Sequence, residues 1–229
     1  MKTLIIDNHM DLDCWGAQDL CRLARLSTQS TLYVRRAPEQ DLPDRPESFD
    51  RVIVSGSKTS VLEKAPWISK LIDFVRKTVN QKIPYLGVCY GHQILAAALG
   101  GQSCVRRSTQ PEYGWTQIQI LEPSPLLNGL PSPFFSFSAH QDEVWPLPQG
   151  MKLLANSEQC AVQAYQLNDH PIFGIQFHPE HTGDYAKKIF KKMKKQKDSP
   201  PLLNPNRTDE LYRPEWGEII FKNFLQNKD

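Results

Sequence analysis

The chain has 229 residues, 40% of them hydrophobic, and a formal net charge of +2. This size suits one domain with a sizeable core, and the balanced charge does not suggest a polyanionic partner, so nucleic acid is not expected. Five cysteines, an odd number without paired spacing, favour a reducing compartment over a disulfide framework. We find no apolar run of membrane length, and residues 4–6 are too short for a signal peptide. A cytoplasmic protein is therefore expected.

Apolar runs alternate with helical patterns along the first hundred residues. A helix is expected to begin at a cap at or near Asp13, with Cys14 and Cys21 on its buried face. Strand–helix alternation predicts a parallel sheet whose ligands gather at the carboxyl ends of the strands. The predicted strands cover residues 3–7, 31–35, 51–54 and 83–88, and the predicted helices end near residue 26, cover 66–80 and end at Gly100-Gly101.

Beyond residue 101 the pattern changes to shorter runs with polar alternation, which is typical of hairpins. We predict an α/β fold consisting of a single doubly wound domain, with a mostly parallel central sheet flanked by helices and a small antiparallel hairpin region. The predicted later strands cover residues 115–121, 134–139, 152–156, 161–167 and 172–177.

Cys89 stands between a buried strand and an Ala/Leu-rich helix, in the frame Gly87-Val-Cys-Tyr-Gly91. This pattern predicts a nucleophile elbow, in which glycines two residues before and after the nucleophile prevent collisions. The helix that follows would direct its positive end at the sulfur and favour the thiolate. The alternative is a buried core cysteine beside two turn glycines.

A thiolate nucleophile needs a base and a group that orients the base. His178 follows the predicted strand at residues 172–177, and Pro179 favours an extended backbone there. Because residues i and i+2 of an extended segment point to the same side, Glu180 can reach the imidazole. His178 could instead be structural. His140 is a rival base, predicted to lie in a loop without a carboxylate two residues on.

The segments Gly-Val-Cys-Tyr-Gly-His-Gln and Phe-His-Pro-Glu resemble the class I glutamine amidotransferase domain. The resemblance runs from Met1 to about Gly183 and resumes in the last helix. It implies hydrolysis of the side-chain amide of glutamine, with Cys89 as nucleophile, His178 as base and acid, and Glu180 as orienting group. No cofactor is implied. His178 and His181 are spaced like metal ligands, but Pro179 argues against one helical turn holding both, so no metal is expected.

The resemblance also implies an oxyanion hole and a substrate pocket. The loop Ser55-Gly-Ser-Lys58 replaces a proline of the family with Lys58, which leaves the donor open between Ser57 and Gly56; an ordinary strand-to-helix turn is the alternative. The segments Pro-Glu-Tyr-Gly-Trp and His-Gln-Asp-Glu-Val resemble pocket segments of the family. The implied oxyanion and substrate-binding residues are Gly56, Ser57, Tyr90, Gln93, Ala139, Gln141 and Asp142.

The C-terminal part departs from the family. Seven lysines fall within residues 187–197, followed by a proline-rich stretch and a helix predicted over residues 214–226. We treat residues 184–213, about thirty in all, as a basic insertion in a domain spanning 1–229. The lysines indicate either a solvated amphipathic helix or a docking surface for an acidic partner.

These features predict a cysteine-dependent hydrolase acting on glutamine through a thioester. The resemblance leans towards free-standing members such as the glutaminase domain of GMP synthetase and γ-glutamyl peptidases. If ammonia is transferred, the synthase must be a separate polypeptide. The alternatives are a γ-glutamyl peptidase acting on γ-glutamyl conjugates and a non-catalytic regulatory subunit with a degenerate fold.

Overall fold

The computed structural model describes residues 1–11, 16–168, 170–197 and 199–226, and within them nine strands form one mixed sheet. Five adjacent strands are parallel. Their carboxyl ends therefore lie along one edge of the sheet. In spatial order these strands are β2 (Thr31–Arg36), β1 (Lys2–Asp7), β3 (Arg51–Val54), β4 (Tyr85–Val88) and β9 (Ile172–Ile175).

The other four described strands are antiparallel, and this region is larger than the predicted hairpins. In spatial order they are β8 (Ala164–Leu167), β7 (Met151–Asn156), β5 (Val105–Ile120) and β6 (Phe134–Val144). β5 begins ten residues before the predicted start at residue 115. A register shift between Arg107 and Glu112 accommodates Pro111 within the strand, and this irregularity hides the strand in the sequence.

Helices cover both faces of the parallel strands, which confirms the doubly wound α/β class. α1 (Ala17–Ser27) and α6 (Pro214–Gln226) pack on one face, and α2 (Pro66–Asn80) and α3 (Tyr90–Gly100) pack on the other. Cys21 is partly buried against the first of these layers. Cys14 and the predicted cap Asp13 lie outside the described residues.

A third apolar cluster covers the antiparallel strands beneath α4 (Gly183–Met193) and α5 (Thr208–Leu211). α4 begins three residues before the predicted start at Ala186, because the Thr182 hydroxyl accepts a hydrogen bond from the N–H of Tyr185 and caps the helix. Among the described residues, no helix is both long and apolar enough to cross a membrane. The cluster comprises Trp115, Phe137, Ala186, Phe190 and Leu211.

Candidate active site

Cys89 occupies the turn between β4 and α3 with φ 50° and ψ −100°, a conformation that non-glycine residues seldom adopt. A Cβ atom on Gly87 would lie 2.3 Å from the carbonyl oxygen of Gly91, and one on Gly91 would lie 2.3 Å from that of Val54. The N–H of Cys89 donates to the carbonyl of Ile175 over 2.8 Å. The predicted elbow is therefore present, and the two glycines permit the close approach of helix and strands.

His178 lies just beyond β9, where its N–H donates to the carbonyl of Phe137 over 2.7 Å. Its Nδ1 atom is 2.7 Å from Oε1 of Glu180, and both side chains are buried. Because a carboxylate only accepts, Nδ1 donates its proton, and the ring also forms a hydrogen bond with the Cys89 side chain. The three residues thus form a connected Cys–His–Glu arrangement.

Burial by itself lowers the pKa of His178, but the Glu180 carboxylate and the Cys89 side chain outweigh it and hold the pKa well above its ordinary value. Burial acts oppositely on Glu180, yet the neighbouring His178 and His181 lower the pKa of its carboxyl. A proton therefore resides on His178 and a negative charge on Glu180. This electrostatic arrangement suits an imidazolium facing a thiolate.

Gly56 lies against both reacting groups. A Cβ atom placed on it would be 2.8 Å from Cε1 of His178 and 3.6 Å from Cβ of Cys89. Among the described residues, the backbone amides of Gly56 and Ser57 have no hydrogen-bond acceptor. The N–H of Tyr90, at the first position of α3, also lacks an acceptor within its helix. These amides are available to an oxyanion.

Asn8 makes this loop rigid despite the missing proline. Its side-chain amide donates to the carbonyl of Ser55 over 2.8 Å, and its own carbonyl accepts from the Ser57 hydroxyl over 2.8 Å. Lys58 is exposed and pairs with Asp11 at 3.3 Å. No motif identified Asn8 in the sequence, although its place directly after β1 puts it at the carboxyl edge of the sheet.

Gln93 and Asp142 connect α3 to the end of β6. The buried Gln93 amide donates to the backbone carbonyl of Asp142 over 2.9 Å and to Gln176 over 3.0 Å. The Asp142 carboxylate accepts from the Ser60 hydroxyl over 2.5 Å and pairs with Arg107 at 3.0 Å. Ser60 was absent from the predicted residues, since nothing local pairs it with a strand eighty residues away.

The remaining predicted pocket residues lie near this junction. Ala139 is half-buried in β6 and lies opposite Tyr113 of β5. Gln141 is exposed, and its side chain accepts from Arg107 over 2.8 Å. Tyr113 is close enough to Cys89 and Gln141 for both to affect its pKa, which burial raises.

His140 lies in β6 rather than in the predicted loop, and it does have a carboxylate partner. Its Nε2 atom is 2.8 Å from Glu112, the residue opposite on β5, and its Nδ1 atom is 3.1 Å from the carbonyl of Asp142. Both ring nitrogens are thus occupied, so His140 is not free to act as the base for Cys89. Strand pairing supplies this carboxylate, so the residues adjacent to His140 in sequence give no sign of it.

A strained cysteine at the start of a helix, a buried His–Glu pair and unpartnered amides define the site of a cysteine-dependent amidohydrolase on an α/β fold. The family model described as "Glutamine amidotransferase class-I" matches residues 4–195. The chain belongs to this family. The match includes α4 and ends before residues 196–213.

Curated relatives include the glutaminase subunit of the glutamine-hydrolyzing GMP synthase of Sulfurisphaera tokodaii, 39% identical over 162 residues that cover 70% of this chain and 81% of the relative. The corresponding GMP synthase subunit of Methanocaldococcus jannaschii is 38% identical over 136 residues, covering 58% and 71%. A glutamine amidotransferase structure from Methylobacillus flagellatus superposes with a TM-score of 0.81 at 22% identity, covering 98% of this chain and 94% of that one. The structural likeness supports the same fold.

Proposed function

We propose that Cys89, His178 and Glu180 form the catalytic triad that hydrolyses glutamine in this chain and that the ammonia serves a separate synthase subunit. The observation that carries the residue roles is the connection of Cys89 to His178, whose Nδ1 lies 2.7 Å from Glu180 beneath the elbow. Glutamine amidotransferase activity follows from the family. The roles follow from the chemistry of the side chains.

In the first half-reaction, the Cys89 thiolate attacks the side-chain carbonyl carbon of glutamine. The developing oxyanion would accept hydrogen bonds from the amides of Gly56 or Ser57 and of Tyr90. His178 then donates its proton to the departing nitrogen, the C–N bond breaks, and ammonia leaves a γ-glutamyl thioester on Cys89.

In the second half-reaction, neutral His178 removes a proton from water as the water attacks the thioester. The C–S bond breaks, glutamate leaves, and the imidazolium–thiolate pair is restored. Glu180 holds the Nδ1 proton throughout, so Nε2 faces the reacting atoms in both steps. Glutamine and water thus give glutamate and ammonia.

The substrate's α-amino and α-carboxylate groups are assigned to the region formed by Gln93, Ala139, Gln141 and Asp142. Its support is the buried hydrogen bond that joins Gln93 to the Asp142 backbone at the carboxyl edge of the sheet. Ligands gather at this edge in open α/β folds. The predicted cytoplasmic location rests on the cysteine content and remains a prediction.

The proposed acceptor is the partner of a GMP synthase. Support comes from the curated relatives, several of which are named as a subunit of glutamine-hydrolyzing GMP synthase and share 33–41% identity with this chain. A free-standing glutaminase has to deliver its ammonia to another polypeptide. We therefore propose association with a GMP-forming subunit that lacks its own glutaminase.

Glutamate release from glutamine, γ-glutamyl dipeptides and glutathione conjugates tests the substrate. We expect glutamine to be preferred and Cys89→Ser to reduce turnover by about a thousandfold or more while the fold survives. An electrophilic glutamine analogue should add its mass to Cys89 alone. Cys104→Ser is the matched control, since Cys104 is also buried but lies in another turn.

Adding a purified GMP-forming subunit with its nucleotide substrates tests the partner. Glutamine-dependent GMP formation that Cys89→Ser abolishes, and that added ammonium restores, would support the assignment. A preference for γ-glutamyl conjugates, with no transfer to the added subunit, would instead identify a γ-glutamyl peptidase.

A further inference from the structure

Three aromatic rings stack in a row that begins at His178. The imidazole rings of His178 and His181 lie 4.5 Å apart between centroids and only 14° from parallel. On the far side, the Tyr185 ring stacks on His181 at 3.9 Å and 25°. The edge of Phe137 meets His181 at 5.8 Å. One face of the His178 ring is therefore covered by His181, which is itself held between neighbours.

The stack restrains the one rotation that Glu180 leaves open. A single hydrogen bond from Nδ1 fixes one atom of the His178 ring but permits the ring to tilt about that bond. A ring packed flat on its face opposes this tilt and keeps Nε2 directed at Cys89. Misplacement of a catalytic group by about 1 Å can cost about a hundredfold in rate.

His181 also carries the right charge for this position. Burial, opposed by Glu180 and Asp19 and assisted by His178, lowers the pKa of His181 and keeps the ring neutral. The electron-rich face of a neutral aromatic ring attracts a cation, so it favours the imidazolium form of His178. A second imidazolium stacked at this distance would repel it.

The surrounding charges come from several elements. Asp19 of α1 lies 3.6 Å from Nδ1 of His181, and Arg22 of the same helix donates to the carbonyl of Glu180 over 2.9 Å. His9, in the loop after β1, is close enough for His178 and His181 to lower its pKa, although burial is the larger cause. These groups and Tyr185 of α4 complete the surroundings of the stack.

Chelation of a metal by the two histidines does not fit this geometry. An imidazole binds a metal through the lone pair in its ring plane. Two nearly parallel rings stacked 4.5 Å apart direct these lone pairs side by side, so they do not converge on one ion. The stack therefore requires another explanation than a metal site.

We propose that His181 is a positioning residue that supports the charged form of His178 by covering its ring with a neutral aromatic face. This inference deepens the proposed function, because it assumes that His178 is the acid and base. The face is what matters: any flat uncharged aromatic ring at residue 181 would serve, whereas a small side chain would not.

Two variants separate the aromatic face from mere space filling. His181→Phe retains a flat neutral ring, and His181→Ala removes it. His170→Ala is the control, since His170 precedes β9 at the opposite end of that strand from His178. The measurements are kcat and KM for glutamine, the rate of Cys89 alkylation by iodoacetamide, and the His178 pKa by NMR of protein labelled with ¹³C-histidine.

We expect His181→Ala to lower kcat by about 10- to 100-fold with KM within about threefold, and to lower the pKa of His178. His181→Phe should keep kcat within about threefold of wild type and retain the raised pKa. The proposal fails if His181→Ala leaves both quantities unchanged, or if His181→Phe loses as much as His181→Ala. Alkylation and NMR need no substrate, so they test the stack even if the wild-type chain proves inactive on glutamine.

Discussion

At the scale of single residues, the proposed chemistry rests on charges placed where little water screens them. The Glu180 side chain is only 3% exposed and that of His178 is 8% exposed. A carboxylate in such a setting strongly favours protonation of the neighbouring imidazole. Removing that one negative charge, with the shape retained, therefore isolates the electrostatic contribution.

Glu180→Gln should shift the activity profile. The amide oxygen can still accept the proton of His178 Nδ1, but the attraction that raises the pKa of His178 is lost. Since His178 must be protonated to release ammonia, the alkaline limb of kcat/KM should move to lower pH. Turnover should fall by about 10- to 1,000-fold, less than for Cys89→Ser. An unchanged alkaline limb, measured from pH 6 to about pH 10, would contradict the role of Glu180.

The same pair makes stability depend on pH in a definite direction. Because the folded pKa of His178 is raised, its contribution is complete below the unfolded value and is lost as pH rises through the folded pKa. Because the pKa of Glu180 is lowered, its contribution is present above the unfolded value and is lost as pH falls through the folded pKa. The difference between wild type and Glu180→Gln in urea unfolding should therefore be most favourable to wild type between 4.5 and 6.5, the ordinary values of the two groups.

At the scale of secondary-structure elements, α4 has two different faces. Ala186 and Phe190 are buried on the antiparallel strands, and Tyr185 reaches the histidine stack. On its other face, Lys187 pairs with Asp209, whereas further lysines line an open surface groove. We call this groove the lysine face and define it by Lys188, Lys191, Lys192, Lys195 and Gln196.

Reversal of the four lysines of this face to glutamate should leave isolated glutamate release and Cys89 labelling within about twofold of wild type, because surface substitutions away from packed contacts have small effects. Lys187 is kept as it is, since its pairing with Asp209 joins α4 to α5. Kinetics and labelling across a salt series provide the measurement. A fall in isolated turnover would show that α4 acts on the site through its charge. A loss confined to GMP formation with the added subunit would identify the lysine face as its docking surface.

At the scale of the whole molecule, the C-terminal helix closes one face of the sheet and meets the site. Four residues of α6 belong to the core cluster that also contains residues of α1 and of the parallel strands. A Cβ atom on Gly217 would lie 2.3 Å from the carbonyl oxygen of Pro179, so α6 packs directly on the His-Pro-Glu segment. The final helix thus contributes to both stability and the position of the base.

Phe221→Ala should destabilise the fold by about 3–5 kcal/mol, the usual cost of truncating a large aromatic side chain in a core. Phe221 is fully buried in α6. Lys222→Ala is the control, because Lys222 is the next residue of the same helix and is exposed. Urea unfolding followed by circular dichroism gives the free energies. A difference below about 1 kcal/mol would contradict this packing.

The sequence by itself determined the features that depend on local pattern. The order of strands and helices, the bounds of α2 and α6, the elbow at Cys89 and the adjacency of His178 and Glu180 are all encoded within a few residues. A buried apolar run, a glycine frame or an i, i+2 pair in extended backbone has the same geometry wherever it occurs. Such features were therefore predictable.

Only the tertiary structure decided the contacts between distant segments. Strand pairing brings Glu112 to His140, and loop packing brings Asn8 to the Gly56 loop and Ser60 to Asp142. The stack on His178 requires the start of α4 to fold back over the strand end, which the spacing of His178 and His181 does not reveal. These contacts depend on register and on the relative placement of elements, and residues that are far apart in sequence carry no local pattern that specifies either.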